Sequence, residues 1–457
     1  MRLPLKKSTE TDRRALNRTG AGLGAVSILL LLAACLAWFC PATKPNAVLG
    51  RLSYLQFWLA ILLTLIAAAF LPVRMLAPAR RRAVGFRLAA VLLSFGVALA
   101  AAELVAYILP VRHQMDNPWY LAAGGGTSEG VDLPFGRPPH LKWEGMSRGD
   151  LALLNGDPDP YARPVTFETD REGFRNGRDI EQADLLTLGD SFTEAGNVME
   201  AESFSTLAGQ RLGLSTRNLG RAGYTAATEL IVLKKYGLNC RPKVVVWQIA
   251  EANDLAEMVI YEKWVSFGRP RYFDAKPDSA RIEAWQKRSP TFRLFEALRK
   301  NTPRPWPLAG TFRDQDGVDH PVRFLPGANH EPPVRNHPGW PGFSAALLEG
   351  AAVCRANNIR LLVLLIPTKA RVLAPYTKLT DFAAATFSRP EGDSLGVVLK
   401  EFCDSHQIAF ADATAPLQEQ AKAGRLVYLP YDTHLSPAGH QVVAELVAAK
   451  LAAQGGQ

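Results

Sequence analysis

The chain has 457 residues, of which 48% are hydrophobic and 21% charged, with 36 Gly and 32 Pro. This length and composition exclude a disordered, collagen-like or small disulfide-stapled chain and predict two or three folded units. The formal net charge is +9, but residues 1–87 alone carry +11, so the remaining 370 residues carry −2. A nucleic-acid surface needs its positive charge on a folded domain, so this distribution argues against nucleic-acid binding.

Three long apolar runs lie in the first 110 residues, at 21–40, 54–73 and 88–109. Each has about 20 residues, which at ~1.5 Å per residue is enough to cross the ~30 Å hydrocarbon layer of a bilayer. The runs predict an N-terminal membrane domain, residues 1–110, with three transmembrane helices. Residues 1–20 carry six Lys or Arg and residues 74–87 carry five, which favours a cytoplasmic location for both segments. We therefore expect a multi-pass bacterial inner-membrane protein whose chain after Tyr107 is periplasmic or otherwise extracytoplasmic.

Three details of the chain have competing explanations. Leu32-Ala33-Ala34-Cys35 resembles a lipoprotein cleavage box, but the apolar run continues through Phe39, which favours an uncleaved helix. Glu103, in the third run, is either a functional intramembrane acid or, as we expect, a carboxylate that reaches the interface. The part of the chain beyond the membrane domain holds Cys240, Cys354 and Cys403, an odd number whose pairing the sequence leaves open.

The chain beyond the membrane domain alternates two kinds of segment. Residues 111–164 are rich in Pro, Gly and Asp and predict a linker and packing segment. In residues 165–457, apolar runs predict buried strands at 184–188, 243–250, 360–366 and 408–411. Helical spacing predicts helices at 202–212, 226–237, 343–357, 395–406 and 437–453. This alternation predicts an α/β fold with three α/β/α layers around a parallel sheet. The long Pro-, Arg- and Trp-rich segment 262–342 interrupts the pattern and predicts a surface insertion.

Candidate catalytic residues follow the predicted strands, where ligands bind in parallel sheets. Ser191 comes directly after the first strand, in Gly189-Asp190-Ser191. A serine hydroxyl is a poor nucleophile without a base that a third group orients. Asp432 and His434 lie two residues apart just before the last helix, so the carboxylate can hold one ring nitrogen while the other takes the serine proton. His440 is an alternative base, but its place inside the helix favours packing.

Two further segments offer donors for an oxyanion, which a tetrahedral intermediate requires. Gly223, in the segment 218–224, has a backbone N–H that a ligand can approach closely, and Asn253 follows the strand 243–250 with a side-chain amide. We expect the neighbouring acids Asp190 and Asp254 to make turn hydrogen bonds. Each motif alone is weak. All four in order, each at a predicted strand end, indicate one active site.

These four blocks resemble those of the SGNH (GDSL-type) hydrolases, which are named for their Ser, Gly, Asn and His residues. The segment Asp170–Asn176 is similar to a lead-in that many members carry before the first strand. The resemblance implies that Ser191 is the nucleophile, His434 the base and Asp432 its orienter. It also implies an oxyanion hole made of the Ser191 and Gly223 backbone N–H groups and the Asn253 amide. The spacing Asp432-Thr433-His434 and the segment Ile366–Lys369 look like the branch that includes alginate-type O-acetyltransferases.

Three functions remain open at this stage. The first is a membrane-anchored serine esterase that cleaves O-acyl esters, acetyl above all, of envelope polysaccharide or lipid. The second is an O-acyltransferase that passes the acyl group to a polysaccharide hydroxyl. Because three helices are too few to carry an acyl donor across the membrane, this function needs a polytopic partner. The third is a non-catalytic polysaccharide-binding scaffold, which has no need of a Ser, His and Asp together. We expect no metal and no cofactor.

Overall fold

The structure is a computed structural model, and it describes residues 54–73, 76–108, 133–155, 158–268, 285–286, 288–300, 306, 308–325, 333–387 and 394–455. The chain divides into two compact units. One comprises Met1–Arg112 with Lys276–Arg304, and the other His113–Ala275 with Pro305–Gln457. The segment 262–342, predicted as a single insertion, is thus shared between the two units.

The described part of the first unit contains the helices α1 (Tyr54–Val73), α2 (Pro78–Ile108) and α8 (Pro290–Lys300). Within α2, Arg80–Tyr107 is long and apolar enough to span a membrane. The predicted run 21–40 lies outside the described residues. The run 54–73 is helical, but its described apolar stretch, Tyr54–Thr64, is shorter than a span. Three transmembrane helices are therefore not established.

One expectation about α2 needs correction, and the structure adds contacts for a second. Residues 78–87, predicted as part of a loop, are the first turns of this helix, because Arg and Ala favour helix and Pro78 occupies the first position, where proline is tolerated. The carboxylate of Glu103 is hydrogen-bonded inside the unit, and the expectation that it reaches the membrane interface stays a prediction. Its carboxylate accepts from Trp285 Nε1 at 2.8 Å and from Thr291 N and Oγ1 at 3.1 and 2.6 Å.

The described residues of the second unit include ten strands. Their bounds are β1 (Lys142–Ser147), β2 (Arg163–Glu168), β3 (Leu185–Leu188), β4 (Thr216–Asn218), β5 (Val244–Ala250), β6 (Ala309–Arg313), β7 (Asp319–Arg323), β8 (Arg360–Ile366), β9 (Thr377–Leu379) and β10 (Ala409–Asp412). The central sheet is parallel, in the order β10-β8-β5-β3-β4. The predicted strands are therefore confirmed within a residue or two. The short strand β4, the antiparallel pair β1-β2 and the antiparallel sheet β7-β6-β9 were not predicted.

The helices of this unit agree with the predicted alternation. They are α3 (Asp150–Asn155), α4 (Ser191–Glu194), α5 (Phe204–Leu212), α6 (Ala226–Val232), α7 (Asp254–Ser266), α9 (Trp340–Ala356), α10 (Lys369–Leu373), α11 (Asp381–Phe387), α12 (Leu395–Ser405), α13 (Thr414–Lys422) and α14 (Pro437–Gly455). A π-helical turn, Leu233–Gly237, continues α6, and 3-10 turns occur at Glu200–Glu202, Leu238–Cys240, Val334–Asn336 and Ala374–Tyr376.

Two hydrophobic cores lie on opposite faces of the central sheet, because alternate strand side chains point to opposite faces. Val245 and Trp247 of β5 belong to one core and Val244 and Val246 to the other. The first core includes side chains of α6, α9 and α12, and the second includes side chains of α5, α13 and α14. The α/β class with a parallel sheet is therefore confirmed. The three cysteines of this unit, Cys240, Cys354 and Cys403, are buried free thiols.

The strand order fixes where a site forms. From β3 the chain moves first to β4 on one side and then to β5 on the other. The order in which successive strands are added therefore reverses between β3 and β5, while all the strands stay parallel. Ligands bind beyond the carboxyl ends of the strands at such a reversal. Ser191 follows β3 and Asn253 follows β5, which brings both to this position.

Candidate active site

Ser191 is the first residue of the short helix α4, and the turn before it requires glycine. Gly189 has φ +152, and a Cβ atom there would lie 2.3 Å from both Gln248 Oε1 and Thr193 Oγ1. Asp190 caps the helix, since its carboxylate accepts from the backbone N–H of Phe192 at 3.0 Å. The expected turn hydrogen bond of Asp190 is therefore present, and it holds the serine at the end of the strand.

The lead-in segment Asp170–Asn176 supports helix α4, which begins with Ser191, through hydrogen bonds. Arg175 is fully buried and donates to the backbone carbonyls of Glu194 at 3.1 Å and Val198 at 2.6 Å. Asn176 Nδ2 donates to the Asn218 carbonyl at 2.9 Å, and Asn218 Nδ2 donates to the Thr193 carbonyl at 2.6 Å. The sequence resemblance gave this segment no role, and the structure shows that it supports α4.

The structure brings the predicted serine, histidine and aspartate together. His434 Nε2 lies 2.8 Å from Ser191 Oγ, although the two residues are 243 positions apart in the chain. His434 Nδ1 lies 2.6 Å from Asp432 Oδ1, which also accepts the His434 backbone N–H at 2.9 Å. The aspartate therefore holds the ring with Nδ1 protonated, and Nε2 faces the hydroxyl whose proton it must take.

The electrostatics of this group stabilise the imidazolium. Burial by itself lowers the pKa of His434, but Asp432, with smaller contributions from Asp150 and Asp190, raises the pKa of His434 to about 9. Burial acts against ionisation of Asp432 too, yet His434 and Lys369 hold the pKa of that carboxyl below its usual range. A neighbouring opposite charge outweighs desolvation at both groups.

Two residues that sequence reasoning did not place in the site hold the loop that carries Asp432 and His434. Lys369 is 5% exposed, and its ammonium donates to three carbonyls of that loop, those of Leu429, Pro430 and Asp432, at 2.8, 2.7 and 2.9 Å. Asp150, from the predicted linker segment 111–164, accepts the backbone N–H of Thr433 at 2.9 Å. In the sequence, Lys369 is only part of the segment Ile366–Lys369 that resembles the O-acetyltransferase branch, and no sequence signal marks Asp150.

The predicted oxyanion residues are placed differently from one another. Asn253 Nδ2 donates to Asp190 Oδ2 at 3.1 Å, and the same side chain hydrogen-bonds Glu257. Its amide is thus next to the nucleophile turn but directed at two carboxyl groups. Gly223 has φ +80 in the turn after β4, where a Cβ atom would lie 3.2 Å from the Phe135 ring. This turn is tied to the nucleophile turn by a hydrogen bond from Arg221 N to the Gly189 carbonyl, 2.9 Å. The oxyanion roles of Ser191 N, Gly223 and Asn253 stay predictions.

Buried acids surround the Asn253 amide. Oxygen atoms of Asp190, Asp254 and Glu257 all lie within 4.8 Å of one another. Burial raises the pKa of Asp190, raises that of Asp254 well above its usual range, and raises that of Glu257 to about 8. Carboxylates this close cannot all be charged without a counter-ion, so either protons or a bound cation must neutralise part of the cluster. The expected turn hydrogen bond of Asp254 is present, from Ala250 N at 2.9 Å.

Among the described residues, two groups have the donor atoms and spacing of a cation site. They are the acids just described and the set Asp150, Asp432 and His434. In the second set the contacts to Thr433 and within the His434–Asp432 pair already account for the side-chain positions. His440 is not part of the site: its Nδ1 accepts from Phe204 N at 3.2 Å and its ring stacks on Phe204, as the sequence led us to expect.

In this site a serine hydroxyl is hydrogen-bonded to an imidazole, and a carboxylate orients the imidazole. This arrangement defines the class of enzymes that act through an acyl-serine. Residues 342–457 match a family described as "SGNH hydrolase-like domain, acetyltransferase AlgX". The match covers about a quarter of the chain, includes Asp432 and His434 and begins after Ser191. It confirms the resemblance to SGNH hydrolases. Together with the contacts of Ser191, His434 and Asp432, it supports an enzyme that acts on esters, as a hydrolase or as an O-acyltransferase.

Other comparisons add little. No curated protein matches the chain. Solved structures that it resembles include a catalytic mutant of an acetylxylan esterase from Geobacillus stearothermophilus, with 13% identity and a TM-score of 0.32, covering 60% of this chain and 95% of that one. A GDSL-like lipase from Bacteroides thetaiotaomicron has 14% identity and a TM-score of 0.29, covering 60% and 88%. At such TM-scores these likenesses do not bear on the activity of the chain.

Proposed function

We propose that this chain is a membrane-anchored, extracytoplasmic serine esterase that removes O-acyl groups, acetyl above all, from cell-envelope polysaccharide or lipid. The observation that carries the proposal is the continuous set of contacts from Ser191 Oγ to His434 to Asp432, with distances of 2.8 and 2.6 Å. The apolar helix Arg80–Tyr107 and the arginines at its N-terminal end support the membrane anchor and its orientation.

In the proposed reaction each of these groups has a defined role. Ser191 Oγ attacks the ester carbonyl while its proton passes to His434 Nε2. The oxyanion that forms takes hydrogen bonds from the predicted donors, the Ser191 and Gly223 backbone N–H groups and the Asn253 amide. His434 then gives its proton to the leaving alcohol, and an acyl-serine remains. Water, activated by the same imidazole, releases the acid and restores the serine.

A second candidate is transfer of the acyl group to a sugar hydroxyl in place of water. The observation that favours it is the description of the matched family as an acetyltransferase. The acyl-serine chemistry is identical, and only the acceptor differs. This function requires a polytopic membrane partner that delivers the acyl donor.

The test uses the full chain in detergent with p-nitrophenyl acetate, with and without an oligosaccharide acceptor. An esterase releases nitrophenol with water alone, whereas a transferase turns over faster by at least several-fold when the acceptor is added. Ser191→Ala should reduce either activity by about 10⁴-fold or more, as expected for loss of a nucleophile. Ser405→Ala, at an exposed serine of α12, is the matched control and should keep full activity. Activity that survives Ser191→Ala contradicts both functions.

A further inference from the structure

A short segment outside the four family blocks lies across the loop that carries Asp432 and His434. We call this segment, Gly149–Ala152, the brace. Leu151 N and Ala152 N both donate to the carbonyl of Tyr431, at 3.2 and 3.3 Å. A Cβ atom on Gly149 would lie 2.1 Å from the same oxygen, so only glycine permits this approach. The brace therefore packs against the catalytic loop directly.

Asp150 is the residue of the brace that reaches the catalytic histidine. Its Oδ1 accepts the Thr433 backbone N–H at 2.9 Å, and its Oδ2 accepts the Thr433 hydroxyl. The same Oδ2 lies 3.8 Å from His434 Nδ1. The imidazole thus faces two carboxylates on its Nδ1 side, Asp432 in contact and Asp150 behind it.

We propose that Asp150 is a positioning residue for His434, fixing Thr433 and adding a second negative charge beside the imidazolium. This role rests on the proposed function, since it matters only if His434 is the base. The titratable groups that interact with His434 are Asp432, Asp150, Asp190, Glu257 and His440. Those that interact with Asp150 are Asp432, His434 and Lys369.

The two carboxylates contribute unequally because they differ in exposure. The Asp432 side chain is 2% exposed, whereas that of Asp150 is 40% exposed and is partly screened by water. Burial, together with the nearby Asp432 charge, raises the pKa of Asp150 to about 6. Asp150 is therefore charged at neutral pH, and because water screens it, it raises the pKa of His434 by no more than the low end of the 1 to 3 units that a close opposite charge typically causes.

The experiment measures labelling of the full chain in detergent by a fluorophosphonate as a function of pH. Labelling forms a bond from Ser191 Oγ to phosphorus, releases fluoride and passes the hydroxyl proton to His434 Nε2. Its rate therefore rises as His434 becomes neutral. Asp150→Asn keeps the shape of the side chain and removes its charge, so the pKa of His434 falls. We expect the midpoint to move down by about 0.5 to 1 pH unit.

Because of the same shift, the Asp150→Asn variant should be labelled roughly 3- to 10-fold faster than the native protein at pH 7. The advantage narrows below about pH 6, where the native Asp150 itself takes up a proton. Asp159→Asn is the matched control, because Asp159 holds the brace through Gly149 N at 2.7 Å but is not among the groups that face His434. Asp159→Asn should leave the pH midpoint of labelling unchanged. Asp150→Glu keeps the negative charge and should have the native midpoint.

A folded Asp150→Asn protein with the native midpoint overturns the proposal and leaves Asp150 a structural residue. If this variant does not fold, Asp150→Ser carries the same expectation, since it removes the charge and can still accept from Thr433 N. Failure of the proposed function looks different: labelling would then persist in Ser191→Ala, or would show no pH dependence in the native protein.

Discussion

The two sides of Ser191 are built differently. On the side of the base, His434, Asp432 and Lys369 are joined by short hydrogen bonds, and opposite charges lie next to each other. On the side of the predicted oxyanion donor, acids lie next to acids. Among the described residues, the buried atoms Asn253 Oδ1, Asp254 Oδ1 and Glu257 Oε2 have no hydrogen-bond partner there.

This difference indicates which half of the site is ready for reaction before substrate arrives. A satisfied network of hydrogen bonds is rigid, so the base side holds its geometry without a ligand. A buried polar atom without a partner costs free energy, so the donor side gains stability when a proton or another hydrogen-bond donor reaches these oxygen atoms. We expect the Asn253 amide to turn from the acids towards the oxyanion during the reaction.

The strongest test of that contrast removes the amide. Asn253→Ala should lower kcat by about 10² to 10³, the usual loss for one oxyanion donor, with little change in KM. Asn239→Ala, at an exposed position after α6, is the control and should be neutral. A loss below tenfold would mean that Asn253 only bridges Asp190 and Glu257, and that the donor side is completed by backbone N–H groups.

The base side was the more predictable of the two from sequence. Ser191 follows a strand, and the carboxyl ends of parallel strands meet at one edge, so a distant Asp432-Thr433-His434 before a helix was expected to reach it. The contacts that hold the loop were not predictable. A lone lysine such as Lys369 is normally solvated, and Asp150 lies in a segment without periodicity whose packing depends on residues far along the chain.

On the donor side, the sequence predicts the functional residue but not the groups that it contacts. Asn253 was found by its place after β5, but its partners Asp190 and Glu257 come from a turn and a helix whose side chains meet only in the folded protein. The insertion shows the same dependence on long-range contacts. Strand β6 pairs with β7 nearby and also with β9, more than 60 residues further on, so no local pattern revealed this sheet.

A substitution at Lys369 tests the rigidity of the base side. In Lys369→Met three loop carbonyls lose their donor and the Asp432 carboxylate loses a neighbouring cation. We expect a loss of about 10- to 100-fold in kcat/KM, since a displacement of about 1 Å is enough to cost that much. Burial lowers the pKa of Lys369 to about 7, so this lysine is mostly neutral near pH 9, where His434 titrates, and the pH midpoint of fluorophosphonate labelling should change little.

The control for this variant is Lys400→Met, at an exposed lysine that pairs with Asp404 on α12. It should change neither the rate nor the midpoint. A Lys369→Met protein whose midpoint moves up would show that the lysine keeps its positive charge near pH 9 and acts on the charge of His434 as well as holding the loop.

The smallest expected effect concerns the acids on the donor side and is seen in the thermal stability of the protein. Burial, with Asp190 as a neighbour, raises the pKa of Glu257 to about 8 from its ordinary value near 4.5. A carboxyl group with a raised pKa stabilises the folded state fully below its unfolded pKa, and this contribution is lost as pH rises through about 8. Glu257→Gln cannot ionise, so the variant and the native protein should melt at similar temperatures at pH 5. At pH 9 the variant should melt higher by about 2 to 4 °C.

The control is Glu262→Gln, at an exposed position of the same helix α7, which should show no such divergence with pH. Parallel melting curves for Glu257→Gln and the native protein at both pH values would mean that a counter-ion, and not a proton, neutralises the acids around Asn253.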